Sequence, residues 1–131
     1  TGNQLACAVS IANINLMQRN NTINHVKQIS TFLSKKLEIL EHRCEYVGEI
    51  RQRGIMVGIE LVKDKKSKLN FPPERVLGHK TVMNCRKHGV LTRNLQDIIV
   101  LNPPLSIKND EIEIIIDAIE KSIDEAVSSL W

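Results

Sequence analysis

The chain has 131 residues, of which 42% are hydrophobic. That is enough for one globular domain with a core and argues against intrinsic disorder. The net charge is only +3 and aromatic residues are only 3%, so the composition predicts neither a broad basic surface nor a stacking platform for nucleic acid. The densest basic segment, residues 63–68, contains an aspartate and precedes two prolines, which favours a solvated loop over a nucleic-acid patch.

Three cysteines, Cys7, Cys44 and Cys85, are widely spaced. An odd number without a Cys-x-x-Cys pair predicts neither a disulfide framework nor a zinc site. Cys7 and Cys85 have apolar neighbours, and we expect both to be small core residues. No apolar segment approaches the length of a membrane span, and no basic-apolar leader opens the chain. We expect a reduced, cytoplasmic setting with no metal, nucleic-acid or membrane partner.

The first 45 residues predict two helices. In the first, apolar residues recur at helical spacing from Leu5 to Leu16, and Asn20-Asn21 ends the helix. Thr22 is expected to cap the second helix. The inward face of that helix is predicted to consist of aliphatic residues, namely Ile23, Val26, Leu33, Leu37 and Leu40.

A sheet pattern follows from Tyr46. Two strands are predicted around the Arg53-Gly54 corner, and Gly58 is expected to mark a bulge or a close backbone approach. Pro72-Pro73 are expected to begin a third helix, which Gly89 ends. The inward side chains of that helix are predicted to be Val76, Val82 and Met83.

The last part predicts a hairpin and a helix. Two β-branched apolar segments, residues 90–93 and 98–101, are separated by a polar link at 94–97. The final helix carries an apolar stripe that either binds a partner or, as is more usual, enters the core. The stripe consists of Ile112, Ile115, Ile116, Ile119, Ile123, Val127 and Leu130.

These elements predict an α+β fold. Helices should cover one face of a small antiparallel sheet of about four strands. Residues 1–45 would supply two helices leading in, and residues 46–131 would form the sheet-and-helix layer.

Arg93 is the candidate binding residue, because it closes the first strand of the predicted hairpin. A guanidinium there can bind a carboxylate through two parallel hydrogen bonds. The alternative is an arginine that merely ends a strand in solvent, which is common. Spacing alone does not decide between them.

Three segments carry a family resemblance. Residues 1–9 read Thr-Gly-Asn-Gln-Leu-Ala-Cys-Ala-Val, residues 50–61 contain Arg-x-x-Gly-x-Met-x-Gly-x-Glu-Leu, and Gly89 to Arg93 lead into residues 97–105. In order and spacing, these segments resemble the C-terminal part of class III, pyridoxal-phosphate-dependent aminotransferases. The chain has no initiating Met, and we expect it to be an excised or truncated piece, about the last third of such a polypeptide.

The resemblance implies most of the expected chemistry. It implies the C-terminal small domain of a fold-type-I enzyme, which acts as a homodimer with pyridoxal 5′-phosphate on a keto-acid substrate and an amino donor. The family's Schiff-base lysine and its cofactor-binding carboxylate would lie upstream, in the rest of the polypeptide. Its phosphate-contacting threonine would lie just before Thr1. No catalytic or cofactor-binding residue is therefore expected within the chain, and the fragment alone should be inactive.

Residues 70–75, followed by a helix and Arg93, resemble the branch of the family that converts 8-amino-7-oxononanoate to 7,8-diaminononanoate in biotin biosynthesis. There the matching arginine holds the substrate carboxylate, whereas Arg51 and Arg53 match positions that we interpret as structural. Asn94-Leu95-Gln96 replaces the usual Pro, apolar residue and Gly, which leaves the conformation of that loop open. The alternatives are another class III ω-amino acid or amine aminotransferase, and a non-catalytic α+β interaction module.

Overall fold

The computed structural model of the protein describes residues 2–130. Its helices and strands follow one another in the order α1 (Gln4–Arg19), α2 (Thr22–Arg43), β1 (Val47–Arg53), β2 (Met56–Leu61), α3 (Leu77–Lys87), β3 (Arg93–Leu95), β4 (Ile98–Leu101) and α4 (Asn109–Ser128). A single 3₁₀ turn, Pro73–Arg75, precedes α3.

The four strands form one antiparallel sheet in the order β1-β2-β4-β3. Because residues paired across strands share a face of the sheet, the register sorts the side chains into two sets. One row is Ile50, Ile59, Ile99 and Asn94, and its two central isoleucines are fully buried. The neighbouring row, Arg51, Gly58, Val100 and Arg93, projects from the opposite face.

Helices α2, α3 and α4 pack over the buried face, so the predicted α+β layer with four antiparallel strands is confirmed. The stripe of α4 enters the core as expected: Ile112, Ile116, Ile119 and Ile123 are buried, together with Val127. Asp110 and Glu111 lie in its first turn, where the helix dipole favours negative charge. Leu33, Leu37 and Leu40 of α2 are buried in the same core.

Several details of the predicted helices were wrong. Ile23, Val76 and Met83 are exposed, although each was expected to face inward. Asn21, not Thr22, occupies the cap position of α2. The two prolines begin only a 3₁₀ turn, and Val76 then turns the chain with a φ of 46° before α3 begins at Leu77. The change in direction rotates Val76 away from the core.

The first strand of the hairpin is shorter than predicted. Val90 donates its N–H to the Cys85 carbonyl at the end of α3, so the turn that closes the helix uses residues assigned to the strand. Arg93 consequently begins β3 instead of ending a strand over 90–93. The bulge also lies elsewhere: the register shifts between Val47 and Glu49, whereas Gly58 pairs regularly.

Helix α1 differs from the other helices because it has no buried residue. Its apolar residues Leu5, Val9 and Leu16 are 74%, 60% and 47% exposed. Cys7 lies on this helix and is exposed, so the expectation that it enters the core was wrong. Cys85 is buried as expected, and burial raises the pKa of its thiol. The periodicity predicted the helix correctly but could not show whether a partner covers it.

We predict that a protein of these 131 residues self-associates through α1, because an exposed apolar helix face lowers its free energy by burial. Sedimentation velocity should show species larger than a monomer, together with binding of an apolar dye. The double variant Leu5→Gln/Val9→Gln should shift the sedimentation profile towards the monomer and reduce the dye binding. The control Ile39→Gln removes an exposed apolar side chain from α2 and should change neither. A clean monomer at high concentration without dye binding would contradict the prediction.

The β3–β4 hairpin has a two-residue loop, Gln96 and Asp97, since Leu95 pairs with Ile98. Gln96 has a φ of 53°, at a loop position where two-residue hairpins favour glycine. Its carbonyl accepts a hydrogen bond from the Asn94 amide at 2.7 Å. The open question about this loop is therefore answered: Gln96 adopts the left-handed conformation that the family's glycine would adopt more easily.

Gln96→Gly should accordingly stabilise the protein by about 1 kcal/mol, because glycine avoids the steric cost of a left-handed L-residue. Chemical denaturation should show a higher midpoint with an unchanged slope. Gln96→Ala keeps a Cβ in the same conformation and serves as the control, with little gain expected. A Gln96→Gly variant less stable than the parent would show that the glutamine side chain contributes more than the strain costs.

Candidate substrate-binding site

Arg93 lies at the start of an edge strand, on the face of the sheet that the helices leave open. Its register partner Val100 is half-buried, while the flanking Ile99 and Leu101 point into the core. The arginine is exposed and makes no salt bridge with any residue between 2 and 130. Its five donors are thus free to bind an external anion.

Arg51 occupies the same row of the sheet, at the opposite edge, but its charge is already neutralised. Its guanidinium donates to the carboxylates of Glu49 at 2.9 Å and Glu60 at 2.7 Å. Hydrogen bonding to Glu60 raises the pKa of Arg51. This network supports the interpretation of Arg51 as structural. Of the two arginines in the row, Arg93 is the one whose guanidinium has no carboxylate partner among the described residues.

A cavity of about 680 Å³ opens beside Arg93, between the segment leading into β3, the end of β4 and the start of α4. Its volume lies in the range of small-molecule sites. Most of the wall is apolar and includes Val90, Leu101 and Ile115. Glu111 also lines it, but one carboxylate oxygen accepts the Lys108 N–H at 2.9 Å and so caps α4.

This arrangement suits binding better than proton transfer. The described groups with a shifted pKa are Cys44, Tyr46, Arg51, Asp64 and Cys85, and none of them lines the cavity. No lysine lines it either within the described part of the chain, so these residues do not fit a cofactor that requires a Schiff base. A free guanidinium beside an apolar wall would fit a carboxylate that carries an aliphatic chain.

A family model described as Aminotransferase class-III matches residues 1–123. The chain belongs to this family. The family resemblance predicted from the sequence is confirmed.

The chain is similar to relatives from two branches of the class III aminotransferases. The chain is 38% identical to the adenosylmethionine-8-amino-7-oxononanoate aminotransferase of Anoxybacillus flavithermus, over 95% of this chain and 27% of that protein. It is 34% identical to mitochondrial gamma-aminobutyrate transaminase 1 of Oryza sativa subsp. indica, over 99% of this chain and 26% of that one. The chain thus spans about a quarter of the length of these relatives.

A solved structure agrees with the fold. The crystal structure of adenosylmethionine-8-amino-7-oxononanoate aminotransferase from Methanocaldococcus jannaschii matches with a TM-score of 0.89 and 37% identity. The match covers 95% of this chain and 28% of that one. The layer of α2, α3 and α4 on four strands therefore has a counterpart in that structure.

Two residues near Arg93 were not anticipated from the sequence. Thr92 donates its hydroxyl to the Val100 carbonyl at 2.5 Å, and no motif distinguishes it from any other strand threonine. Gly78 packs its backbone on the β3–β4 loop, where an added Cβ would lie 2.1 Å from the Gln96 carbonyl oxygen. An isolated glycine inside a helical pattern was the available signal for that close approach.

Thr1, expected next to a phosphate-contacting threonine, lies outside the described residues. Among residues 2–130, no helix is both long and apolar enough to cross a membrane. The same range contains no group of three or more metal-ligating side chains.

We predict that the 131-residue chain does not bind pyridoxal phosphate covalently at one site. Its lysines are solvated or engaged elsewhere: Lys36 pairs with Glu113 at 2.6 Å, and Lys65 donates to the Glu41 carbonyl. After incubation with the cofactor and borohydride reduction, mass spectrometry should show sparse labelling scattered over several lysines. A stoichiometric adduct on one lysine would overturn the prediction, and free lysine labelled in parallel controls for the reduction step.

Proposed function

We propose that residues 1–131 form the C-terminal part of a longer, homodimeric aminotransferase that converts 8-amino-7-oxononanoate to 7,8-diaminononanoate in biotin biosynthesis. The observation that carries the proposal is an unpaired Arg93 beside a cavity in a chain 37–38% identical to enzymes named for that substrate. The rest of the polypeptide would supply the amino-donor contacts. With no disulfide among its cysteines, the protein fits a reduced, cytoplasmic setting.

The cofactor would be pyridoxal 5′-phosphate, which supplies an electron sink for amino transfer when it is bound. The segment described here lacks a suitable lysine, so the cofactor would be held by the part of the polypeptide upstream of Thr1. Residues 2–130 would contribute substrate recognition, which is the chemistry that the free guanidinium and apolar cavity support.

Arg93 would hold the carboxylate of the keto-acid substrate. A charged, two-bond contact contributes about 1.5–3 kcal/mol of binding free energy. It also orients the substrate, because a guanidinium fork fixes both the position and the plane of a carboxylate. The free ion-pairing capacity of Arg93 distinguishes it from Arg51, whose donors are engaged by two glutamates.

A second candidate is another class III aminotransferase acting on ω-amino acids or amines. The 34% identity to gamma-aminobutyrate transaminase 1 favours it, and γ-aminobutyrate also carries a carboxylate that Arg93 could bind. A substrate panel separates the two candidates. The first proposal expects amino transfer to 8-amino-7-oxononanoate from adenosylmethionine or lysine as amino donor. It expects little activity with γ-aminobutyrate.

A non-catalytic interaction module is the remaining alternative. It is tested by the mass of the natural gene product. The aminotransferase proposal expects a polypeptide several times heavier than these 131 residues, as in the relatives. A natural product ending at this length and lacking transaminase activity would favour the module.

Arg93→Ala in the full-length protein should raise the apparent dissociation constant for the keto acid by about 10–100-fold, the loss expected for one charged contact. Arg93→Lys should recover only part, since an ammonium cannot form the two-bond fork. The half-reaction with the amino donor should change less. Stopped-flow spectroscopy of each half-reaction on the cofactor's absorbance measures both constants.

Arg86→Ala is the matched control, because Arg86 is also exposed but lies on α3, outside the cavity. It should leave both half-reactions within about twofold, as expected for a surface charge. If Arg93→Ala behaved like this control, Arg93 would be a surface residue and the proposed site would be lost.

A further inference from the structure

We infer that Thr92, which lines the cavity, is a positioning residue for Arg93, and that its hydroxyl sets the affinity for the substrate carboxylate through its bond to the Val100 carbonyl. The inference rests on the proposed function of Arg93. It concerns a contact of this chain's own side chains, the hydrogen bond from the Thr92 hydroxyl to the Val100 carbonyl at 2.5 Å.

The contact joins Thr92 to the strand residue that also pairs with Arg93. Val100 is the register partner of Arg93 in the antiparallel β3–β4 pair. Thr92 therefore extends the attachment of the edge strand by one residue beyond the start of β3, through its side chain. The backbone on the N-terminal side of Arg93 is fixed by this bond.

Few other contacts hold this stretch. β3 has only three residues and lies at the edge of the sheet, so Arg93 has a strand neighbour on one side only. The preceding Leu91 is 80% exposed. Val90 is held by its N–H bond to the Cys85 carbonyl. Between Val90 and Arg93, the side-chain hydrogen bond that the structure describes is that of Thr92.

Loss of the hydroxyl would let the first residue of the strand fray. Short edge segments with few buried contacts open at low free-energy cost. Arg93 would then sample more positions, and ordering it upon substrate binding would cost conformational entropy. The expected consequence is weaker carboxylate binding with an intact guanidinium and an intact fold.

Thr92→Val is the informative substitution, because valine keeps the β-branched shape and the strand propensity but lacks the donor. Thr92→Ser keeps the hydroxyl and loses only a methyl group. Thr31→Val is a matched control: the Thr31 hydroxyl also donates to a backbone carbonyl, that of Lys27 at 3.1 Å, but on the exposed side of α2.

The experiment uses the full-length protein with cofactor, and measures the apparent dissociation constant of 8-amino-7-oxononanoate in its half-reaction. Thr92→Val should raise this constant about three- to tenfold, the effect expected for one hydrogen bond. Thr92→Ser and Thr31→Val should stay within about twofold of the parent. The maximal rate and the half-reaction with the amino donor should be unchanged for all three.

A double-mutant cycle with Arg93→Ala separates positioning from general support. If Thr92 acts through Arg93, Thr92→Val should add no further loss in the Arg93→Ala background. An equal loss in both backgrounds would assign Thr92 a merely structural role and overturn the inference. If Thr92→Val fails to fold, as judged by thermal melting, Thr92→Ala replaces it in the same cycle.

The inference and the proposed function fail in different ways. A large effect of Arg93→Ala together with no effect of Thr92→Val would overturn the positioning role and leave carboxylate binding intact. No effect of Arg93→Ala would overturn the proposed function, and the positioning role with it.

Discussion

The antiparallel pairing of β4 with both β2 and β3 is the constraint on which the structure around Arg93 depends. Ile99 pairs with Ile59 on one side and Asn94 on the other, which places the central row of the sheet under the helices. Side chains alternate between the faces of a strand, so a slip of one residue would turn Arg93 into the core and bury its charge. The burial of Ile99 and Leu101 therefore determines which face carries the free guanidinium.

Ion pairing distinguishes Arg51 from Arg93, although both have the same kind of position in the sheet. Arg51 and Arg93 lie in one row on the open face, at opposite edges of the sheet. Glu49 and Glu60 are neighbours of Arg51 within its strand pair, and they use its donors. Arg51 pairs directly with Gly58 and reaches Glu60 two residues further along β2. The corresponding positions two residues from Val100, the partner of Arg93, are Ile98 and Asn102, neither of which is acidic. Arg93 thus differs from Arg51 because its neighbours in the sheet carry no carboxylate.

The sequence predicted those features of the fold that depend on a single segment, and missed those that depend on contacts between segments. The stripe of α4 and the two strands around Gly54 were predicted correctly, since amphipathic periodicity is a property of the segment itself. Periodicity predicted α1 itself but not which of its side chains are buried, and the expectation that Cys7 enters the core was wrong. Arg93 became a candidate through its place at a predicted strand end, and the family resemblance added the carboxylate role. Its strand position shifted because the turn after α3 used residues assigned to β3. Contacts such as that of Thr92 depend on the tertiary register and could not be predicted.

The unusual loop after Arg93 is compatible with a well-defined guanidinium because the hairpin is held at both ends. At the far end, Asp97 accepts the Gly78 N–H at 2.7 Å, and the close packing of Gly78 leaves the loop no room to shift towards α3. At the near end, the Thr92 hydroxyl attaches the chain to β4. The left-handed Gln96 lies between these attachments. Its strain costs stability rather than accuracy of position, since the contacts on either side determine where Arg93 lies.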